Sequence, residues 1–185
     1  WARQISAFGH EVKLMPPAYV KPYVRRQKND MADAAAICEA VSRPSMRYVP
    51  VKSAAQQAAL LAHRGRSLLI RQRTSLINAI RAHCTEFGLI AAKGPANIAS
   101  LVEAIRDGHN PLMPQEARPA LLILVDQLAS LDGCIAAMEK EATAVRRLDD
   151  RVNRLMTIPG IGIITATAIA ATVPDARAFK SGREF

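Results

Sequence analysis

Cysteine is scarce in this chain and follows no recognisable pattern. The three cysteines, Cys38, Cys84 and Cys134, are odd in number and far apart, and none forms a CxxC pair. This usage argues against a disulfide framework and against a zinc site. It fits a protein kept in a reducing cytoplasm.

Long apolar runs are lacking as well. The longest, residues 158–173, is interrupted by Pro159, Gly160 and Gly162, and it is shorter than the roughly 20 residues that a membrane-spanning helix needs. No signal peptide opens the chain. We therefore expect a soluble protein without a membrane partner.

Acidic residues are few in the first half. Residues 1–88 hold 14 Lys and Arg against 5 Asp and Glu, whereas residues 89–185 hold 11 of each, so the whole formal charge of +9 lies in the first half. A basic half beside a neutral half indicates a polyanionic partner, most commonly nucleic acid. A basic surface that serves solubility alone is the alternative.

Two of those few acidic residues, Asp30 and Asp33, stand at the start of a predicted helix over residues 30–42. Side chains three residues apart on a helix share one face, about 5 to 6 Å apart. Two carboxylates so placed could form half of a magnesium site. They could equally be an ordinary acidic first turn, with Asn29 or Asp30 as the N-cap, and the spacing alone favours this second interpretation.

The segment before this helix, residues 19–28, mixes two tyrosines with four cationic residues, and prolines keep it from becoming a long helix. Cations among aromatic rings suit a nucleic-acid strand, with phosphates on the cations and bases or sugars against the rings. A solvated loop is the alternative. The four cations are Lys21, Arg25, Arg26 and Lys28.

Residues 1–52 otherwise predict an α/β unit. Residues 1–8 are typical of a helix end stopped by Gly9, and residues 11–15 and 47–51 predict two short strands. Two such strands cannot form a stable sheet alone. We therefore expect further strands before Trp1.

Two long helical patterns dominate the middle of the chain. Residues 53–87 carry apolar residues at helical spacing, with Gly88 as the stop, and a connector follows over residues 89–113. A heptad seam then predicts a partner helix, either the first long helix in an antiparallel arm or a second copy of the chain. The seam consists of Leu124, Leu128, Leu131, Ile135, Met138, Ala142 and Val145.

Four arginines of the first long helix fall into two groups. Arg64 and Arg71 lie two turns apart on the face opposite the apolar sector, and they form a basic stripe that we assign to nucleic-acid binding. Arg66 and Arg73 fall within or beside the apolar sector. There they must snorkel, pair with an acidic residue or meet a partner, and the pattern does not decide among these.

Residues 155–166 place a Pro-Gly-Ile-Gly turn between an apolar helix end and an alanine-rich helix. This pattern predicts a helix-hairpin-helix, in which Gly160 and Gly162 let backbone N–H groups approach a phosphate at a helix N-terminus. Arg151 and Arg154 lie close by and favour phosphate binding. A tight turn between two helices with no ligand is the alternative.

Four stretches together resemble the DEDD-type insertion-sequence transposases, the recombinases that work with a bridge RNA. The resemblance covers essentially the whole chain, and its motifs are specific in combination although each is weak alone. They are residues 28–40 (KNDMADAAAICEA), 47–53 (RYVPVKS), 71–83 (RQRTSLINAIRAH) and 158–170 (IPGIGIITATAIA).

The resemblance implies a mainly α fold with a small α/β part. Residues 1–52 would be the C-terminal portion of a RuvC-like, RNase H-fold domain, residues 53–148 a helical arm, and residues 149–185 the start of a transposase domain with the helix-hairpin-helix. Asp30 and Asp33 match the last two positions of an Asp-Glu-Asp-Asp magnesium site, as catalytic and metal-binding residues. The first Asp, the Glu and a nucleophilic serine would lie outside residues 1–185.

The implied function is DNA strand cleavage and transfer with Mg²⁺, in a nucleoid-associated cytoplasmic protein. Its implied partners are DNA, a guide RNA and a second copy held through the arm. With half of the metal site missing, we expect residues 1–185 to bind nucleic acid weakly and to catalyse nothing. The alternatives are a non-catalytic helical protein that binds nucleic acid, and a helical assembly module whose basic half serves only solubility.

Overall fold

The computed structural model describes residues 1–24, 29–146, 149–173, 179 and 181–183, and the side chain of Val145 lies outside that description. The chain forms two compact units, Trp1–Ala54 and Ala55–Phe185. The domain boundaries predicted after residues 52 and 148 both stay predictions. All regular secondary structure in the described residues is helical.

The first unit contains three α-helices and one turn of 3-10 helix. Of its described residues only Ala36 and Ala40 are buried, whereas Trp1, Phe8 and Met31 are almost fully exposed. The unit therefore has little hydrophobic core of its own. Its elements are α1 (Ala2–Ala7), α2 (Pro17–Val20), the 3-10 turn Lys21–Tyr23 and α3 (Asp30–Val41).

The two predicted strands of this unit are not found. A single antiparallel bridge joins Leu14 to Val49, whose N–H donates to the Leu14 carbonyl at 2.8 Å. Prolines stop further pairing, because Pro16, Pro17 and Pro50 have no N–H to donate to a ladder. The mainly α prediction is confirmed, the α/β part is absent from the described residues, and a RuvC-like topology stays a prediction.

The described residues of the second unit form two long α-helices and three short ones. A turn of 3-10 helix, Pro95–Ile98, precedes the first short helix. The long helices make the arm, and the last two short helices flank the glycine turn. The helices are α4 (Ala54–Glu86), α5 (Ala99–Arg106), α6 (Arg118–Arg146), α7 (Asp150–Met156) and α8 (Ile163–Thr172).

Helices α4 and α6 run antiparallel, and two ion pairs fix their register. The Nε of Arg66 donates to Glu139 at 2.9 Å, and an Nη of Arg73 donates to Asp132 at 3.1 Å. A step of seven residues forward on α4 thus matches a step of seven backward on α6. Of the three possibilities for Arg66 and Arg73, the structure selects pairing.

Part of the predicted apolar seam of α6 is buried against the neighbouring helices. Leu128, Leu131 and Ile135 are buried, as the heptad pattern predicts, and the seam continues to Leu121 and Val125 towards the start of the helix. The sequence interpretation missed those last two. Three further seam residues, Leu124, Met138 and Ala142, are half-buried, and the side chain of Val145 lies outside the description.

The end of the arm near α5 holds the main core. Ile80 of α4 and Ile105 of α5 are completely buried there together with Val125 of α6. Two arginines fasten the surrounding backbone: Arg81 donates to the carbonyls of residues 92 and 94, and Arg118 donates to those of residues 105 and 106 at the end of α5. These two cations are structural.

Helices α7 and α8 form a hairpin that packs on α6. Val152 of α7 is completely buried against Ala166 and Ala170 of α8. The Nε of Arg146, the last residue of α6, donates to the side chain of Asn153 at 3.0 Å. The small alanines let the two helices approach closely, and the hydrogen bond fastens the hairpin to the arm.

Within the described residues, α6 is also long and apolar enough to cross a membrane by length and composition, with a mean hydropathy of 1.7 over its most apolar window. The core helix of a soluble protein passes the same test. Here α6 buries one face against α4 and α5, and its Asp132 and Glu139 pair with arginines of α4. This packing is consistent with the expectation of no membrane partner.

Candidate nucleic-acid and metal site

The predicted acidic pair stands in the first turn of α3. Asn29 is the N-cap: its side chain accepts a hydrogen bond from the Ala32 N–H at 2.7 Å. Asp30 and Asp33 are both exposed, and neither forms an ion pair with another described residue. Because the cap is already provided by Asn29, the two carboxylates are not needed for it, although they still favour the positive end of the helix dipole.

The two carboxylates offer the hard oxygen ligands that Mg²⁺ prefers. Within the described part of the chain, no group of three or more His, Cys, Asp or Glu is placed to hold a metal ion. The donor type therefore fits magnesium, but the set is incomplete. Two ligands on one helix turn are at most half of such a site.

Asp33 also lines an open groove of about 610 Å³ within the first unit. Lys13 and Lys21 line the same groove, whose remaining walls are apolar, Ile37 and Val24 among them. The structure thus brings Asp33 together with Lys21, which the sequence assigned to nucleic acid. It adds Lys13, which the sequence interpretation missed because only the folded chain places it here. Asp30 is not among the groove residues.

The basic segment before α3 is described only in part. Lys21 begins the 3-10 turn and is exposed. The other three predicted phosphate contacts, Arg25, Arg26 and Lys28, lie outside the described residues. Their assignment stays a prediction.

The predicted basic stripe on α4 is present as an exposed surface. Arg64 and Arg71 are exposed, and no ion pair to another described residue involves either. Leu61 and Leu68 lie on the same face and are 69% and 48% exposed. Arg66, by contrast, is paired with Glu139, so the two groups of arginines differ in their contacts.

The glycine turn between α7 and α8 is open to solvent. Gly160 has a φ of +86°, which favours glycine, whereas Gly162 has an ordinary backbone conformation as the N-cap of α8. A Cβ added at either position would meet nothing within 4 Å. No side chain caps the N-terminus of α8, so its first N–H groups have no side-chain acceptor there, and phosphate binding at this end stays a prediction.

The two arginines near this turn differ. Arg151 makes a two-point ion pair with Asp149, at 3.1 and 2.8 Å, and Asp149 also caps α7. The hydrogen bond from Arg151 lowers the pKa of the Asp149 carboxyl. Arg154 is exposed and has no ion pair among the described residues. Arg154 is therefore the better placed of the two to meet a phosphate.

One histidine lies where α4 meets α8. Burial lowers the pKa of His63, and the nearby Arg66 guanidinium lowers it further, while a hydrogen bond with the backbone of Thr167 acts in the opposite direction. The neutral imidazole is thus favoured in the folded arm. The sequence gave no signal for this contact, because it joins residues about a hundred positions apart.

Comparison with known proteins relates the chain to transposases. Residues 152–185, which include most of α7 and all of α8, match the model of the family described as Transposase IS116/IS110/IS902. The whole chain is 48% identical to a protein of Pseudomonas aeruginosa described as "Probable family 20 transposase", covering 55% of it. No solved structure matches the chain.

Two further relatives have similar descriptions. The whole chain is 39% identical to the transposase for insertion sequence element IS1328 of Yersinia enterocolitica and 35% identical to that for IS1111A of Coxiella burnetii. It covers 54% and 50% of them, so it spans about half the length of the curated relatives. By sequence, the chain is therefore similar from end to end to about half of each of these transposases, and its residues 152–185 match the IS116/IS110/IS902 family model.

Proposed function

We propose that this chain is part of the transposase of an insertion sequence, the part that binds nucleic acid and supplies half of a metal site. The observation that carries the proposal is the alignment of all 185 residues with proteins described as transposases, at up to 48% identity. The open glycine turn supports it, because the family model covers that turn.

In this proposal two surfaces of the second unit contact the phosphate backbone. At the hairpin, the uncapped N-terminus of α8 and the side chain of Arg154 offer N–H donors and a positive charge. Along α4, Arg64 and Arg71 supply a second line of charge. Such contacts position a protein on DNA without reading its sequence.

Asp30 and Asp33 are proposed as catalytic and metal-binding residues that act only with further ligands. A bound Mg²⁺ would stabilise the charge that develops on phosphodiester oxygens during strand cleavage and transfer. In this chain the two carboxylates can hold such an ion only from one side, because the described residues contain no third ligand near them. We therefore expect residues 1–185 to bind nucleic acid and to leave its strands intact.

The finer parts of the proposal follow from the sequence resemblance. They are a RuvC-like topology for the first unit, a helix-hairpin-helix for α7 and α8, strand exchange guided by an RNA, and pairing of two copies through the arm. The proposal also places the protein in the cytoplasm, associated with the nucleoid and without a membrane partner.

The function is tested in a longer protein that joins this chain to the part of a curated relative that the chain does not cover. Asp30→Asn and Asp33→Asn should each abolish strand transfer with Mg²⁺ and leave DNA affinity nearly unchanged. Asp107→Asn, which removes one carboxylate from the surface of the arm, is the matched control and should keep activity.

A non-catalytic nucleic-acid-binding protein is the second candidate, favoured by the incomplete ligand set. It predicts that both Asn variants of the longer protein behave like the unchanged protein. Cleavage or joining of DNA by residues 1–185 with Mg²⁺ would contradict both the expectation for this chain and the incomplete-site argument.

A further inference from the structure

A second open pocket lies in the first unit, where α2 and the 3-10 turn after it meet the loop that follows α3. Its volume is about 340 Å³, at the lower end of the range for small-molecule sites, about 300–1,000 Å³. Tyr19 and Tyr23 line it from one segment, and Ser45, Met46 and Arg47 line it from the other. Neither acidic residue of the proposed metal site lines it.

The two tyrosines offer ring surface to a ligand. Tyr19 is 46% exposed, which is high for an aromatic side chain. Tyr23 is half-buried, and the guanidinium of Arg43 lies 5.8 Å from its ring centre, within the range of a cation–π contact. Arg43 is itself paired with Glu39 of α3. The Tyr23 ring is therefore held in place by Arg43, whereas the Tyr19 ring is largely exposed to solvent.

The chemistry of the lining selects the ligand class. Two phenol rings and the thioether of Met46 suit a flat, uncharged ring, while the guanidinium of Arg47 and the hydroxyl of Ser45 suit an attached anion. No carboxylate is found among the described residues that line the pocket. Residues 1–54 carry 9 Lys and Arg against 4 Asp and Glu. A flat ring joined to a phosphate in a basic surrounding is a nucleotide of a nucleic-acid strand.

We propose that this pocket is a stacking site for one unpaired nucleobase, which rests between Tyr19 and Tyr23 while its phosphate faces Arg47. The inference rests on the proposed function, because it takes nucleic acid as the partner. It goes further in requiring an unpaired base, since a base inside a duplex is stacked and cannot enter an aromatic pocket. The site would thus distinguish single-stranded segments from duplex.

The test compares the affinity of the full 1–185 chain for two single-stranded oligonucleotides of equal length and charge. One carries thymine at every position, and the other carries abasic sites throughout, so that only the bases differ. We expect tighter binding of the base-bearing strand by at least about fivefold, the lower end for one base stacked on an aromatic side chain.

Variants locate the effect. Tyr19→Ala should bring the affinity of the base-bearing strand down to that of the abasic strand, and Tyr19→Phe should keep the difference because the ring is retained. Tyr48→Ala is the matched control, since the hydroxyl of Tyr48 donates to the Val41 carbonyl and its ring lies outside the pocket. Circular dichroism of each variant confirms that the helices remain.

The outcomes separate the two proposals. Equal affinity for both strands, or an unchanged difference in Tyr19→Ala, overturns the stacking site and leaves the proposed function intact. Failure of every oligonucleotide and of duplex DNA to bind at low salt overturns the proposed function and the stacking site together.

Discussion

Reversing one ion pair of the arm tests the antiparallel register directly. Arg66 and Glu139 are 25% and 44% exposed at their side chains, so their attraction is partly screened by water. Two opposite charges about 4 Å apart attract by about 4 kcal/mol at an effective dielectric constant of about 20, but partly exposed pairs contribute about 1 kcal/mol or less in practice. Glu139→Arg replaces this attraction by a repulsion of similar size. We expect it to lower the free energy of unfolding by about 1–2 kcal/mol.

The second change restores the pair in the opposite sense. Arg66→Glu together with Glu139→Arg should recover most of the lost stability, because a carboxylate again faces a guanidinium at the same position. The mismatched swap is the control: it combines Arg66→Glu with Asp132→Arg and has the same net charge as the matched swap. In that chain two carboxylates face each other at one position and Arg73 faces an arginine at the next, so it should lose about 2–4 kcal/mol.

Thermal unfolding followed by circular dichroism measures these differences. For a unit of this size, 1 kcal/mol corresponds to about 4 °C in Tm. The single reversal should therefore melt about 4–8 °C below the unchanged chain, and the matched swap should melt close to it. A matched swap no more stable than the mismatched one would refute the register.

Three further predictions concern the core, the pH dependence and the turn. Ile80→Ala should destabilise the second unit by about 2–5 kcal/mol in denaturant unfolding, because it leaves a cavity in a fully buried site; a loss below 1 kcal/mol would contradict that core. The folded-state pKa of His63 is lowered, so the stability that its neutral form contributes is present above pH 6.5 and is lost as the pH falls from there through the folded-state pKa. The melting temperatures at pH 7.5 and 5.5 should therefore differ less in His63→Gln than in the unchanged chain. An equal difference in both proteins would argue against the buried imidazole. Gly160→Ala should cost about 1 kcal/mol because of its positive φ, whereas Gly162→Ala should leave the melting temperature unchanged and weaken duplex binding; a stability loss in Gly162→Ala would point to a purely structural turn.

The helical part of the fold could be predicted because its signals are local. Helix α3 begins at Asp30, the predicted start, directly after its N-cap Asn29, and the Gly88 stop follows the end of α4 at Glu86. The role of Arg66 could not be predicted in the same way. Helical periodicity places a side chain on a face, but only the register of the partner helix shows which acidic residue it meets.

The two predicted strands show where local sequence signals were not sufficient. Alternating residues at 11–15 and 47–51 suggested a sheet, but pairing needs neighbours with free N–H groups. The prolines beside Leu14 and Val49 leave only one bridge. Strand formation depends on tertiary partners far more than helix formation does, so this part of the sequence was the least informative.

The candidate site was predictable in its residue types and not in its grouping. The carboxylates of α3 and the glycine turn were visible as short motifs. Lys13 and Met46 could not be predicted as site residues, because each lines its groove or pocket only where separated segments of the chain meet. Arg151 was predicted from its position beside the glycine turn, but its guanidinium is already paired with the Asp149 carboxylate.

The account rests on phosphate contacts, and the salt dependence of duplex DNA affinity tests them most directly. Each cation that neutralises a phosphate releases counterions, so the logarithm of affinity falls linearly with the logarithm of salt concentration. We predict a steep fall for the 1–185 chain, and a slope smaller by about two in Arg64→Gln with Arg71→Gln. Arg106→Gln, a surface arginine near Asp126, should keep the slope. An affinity that does not change with salt, or the same slope in all three proteins, would contradict the account.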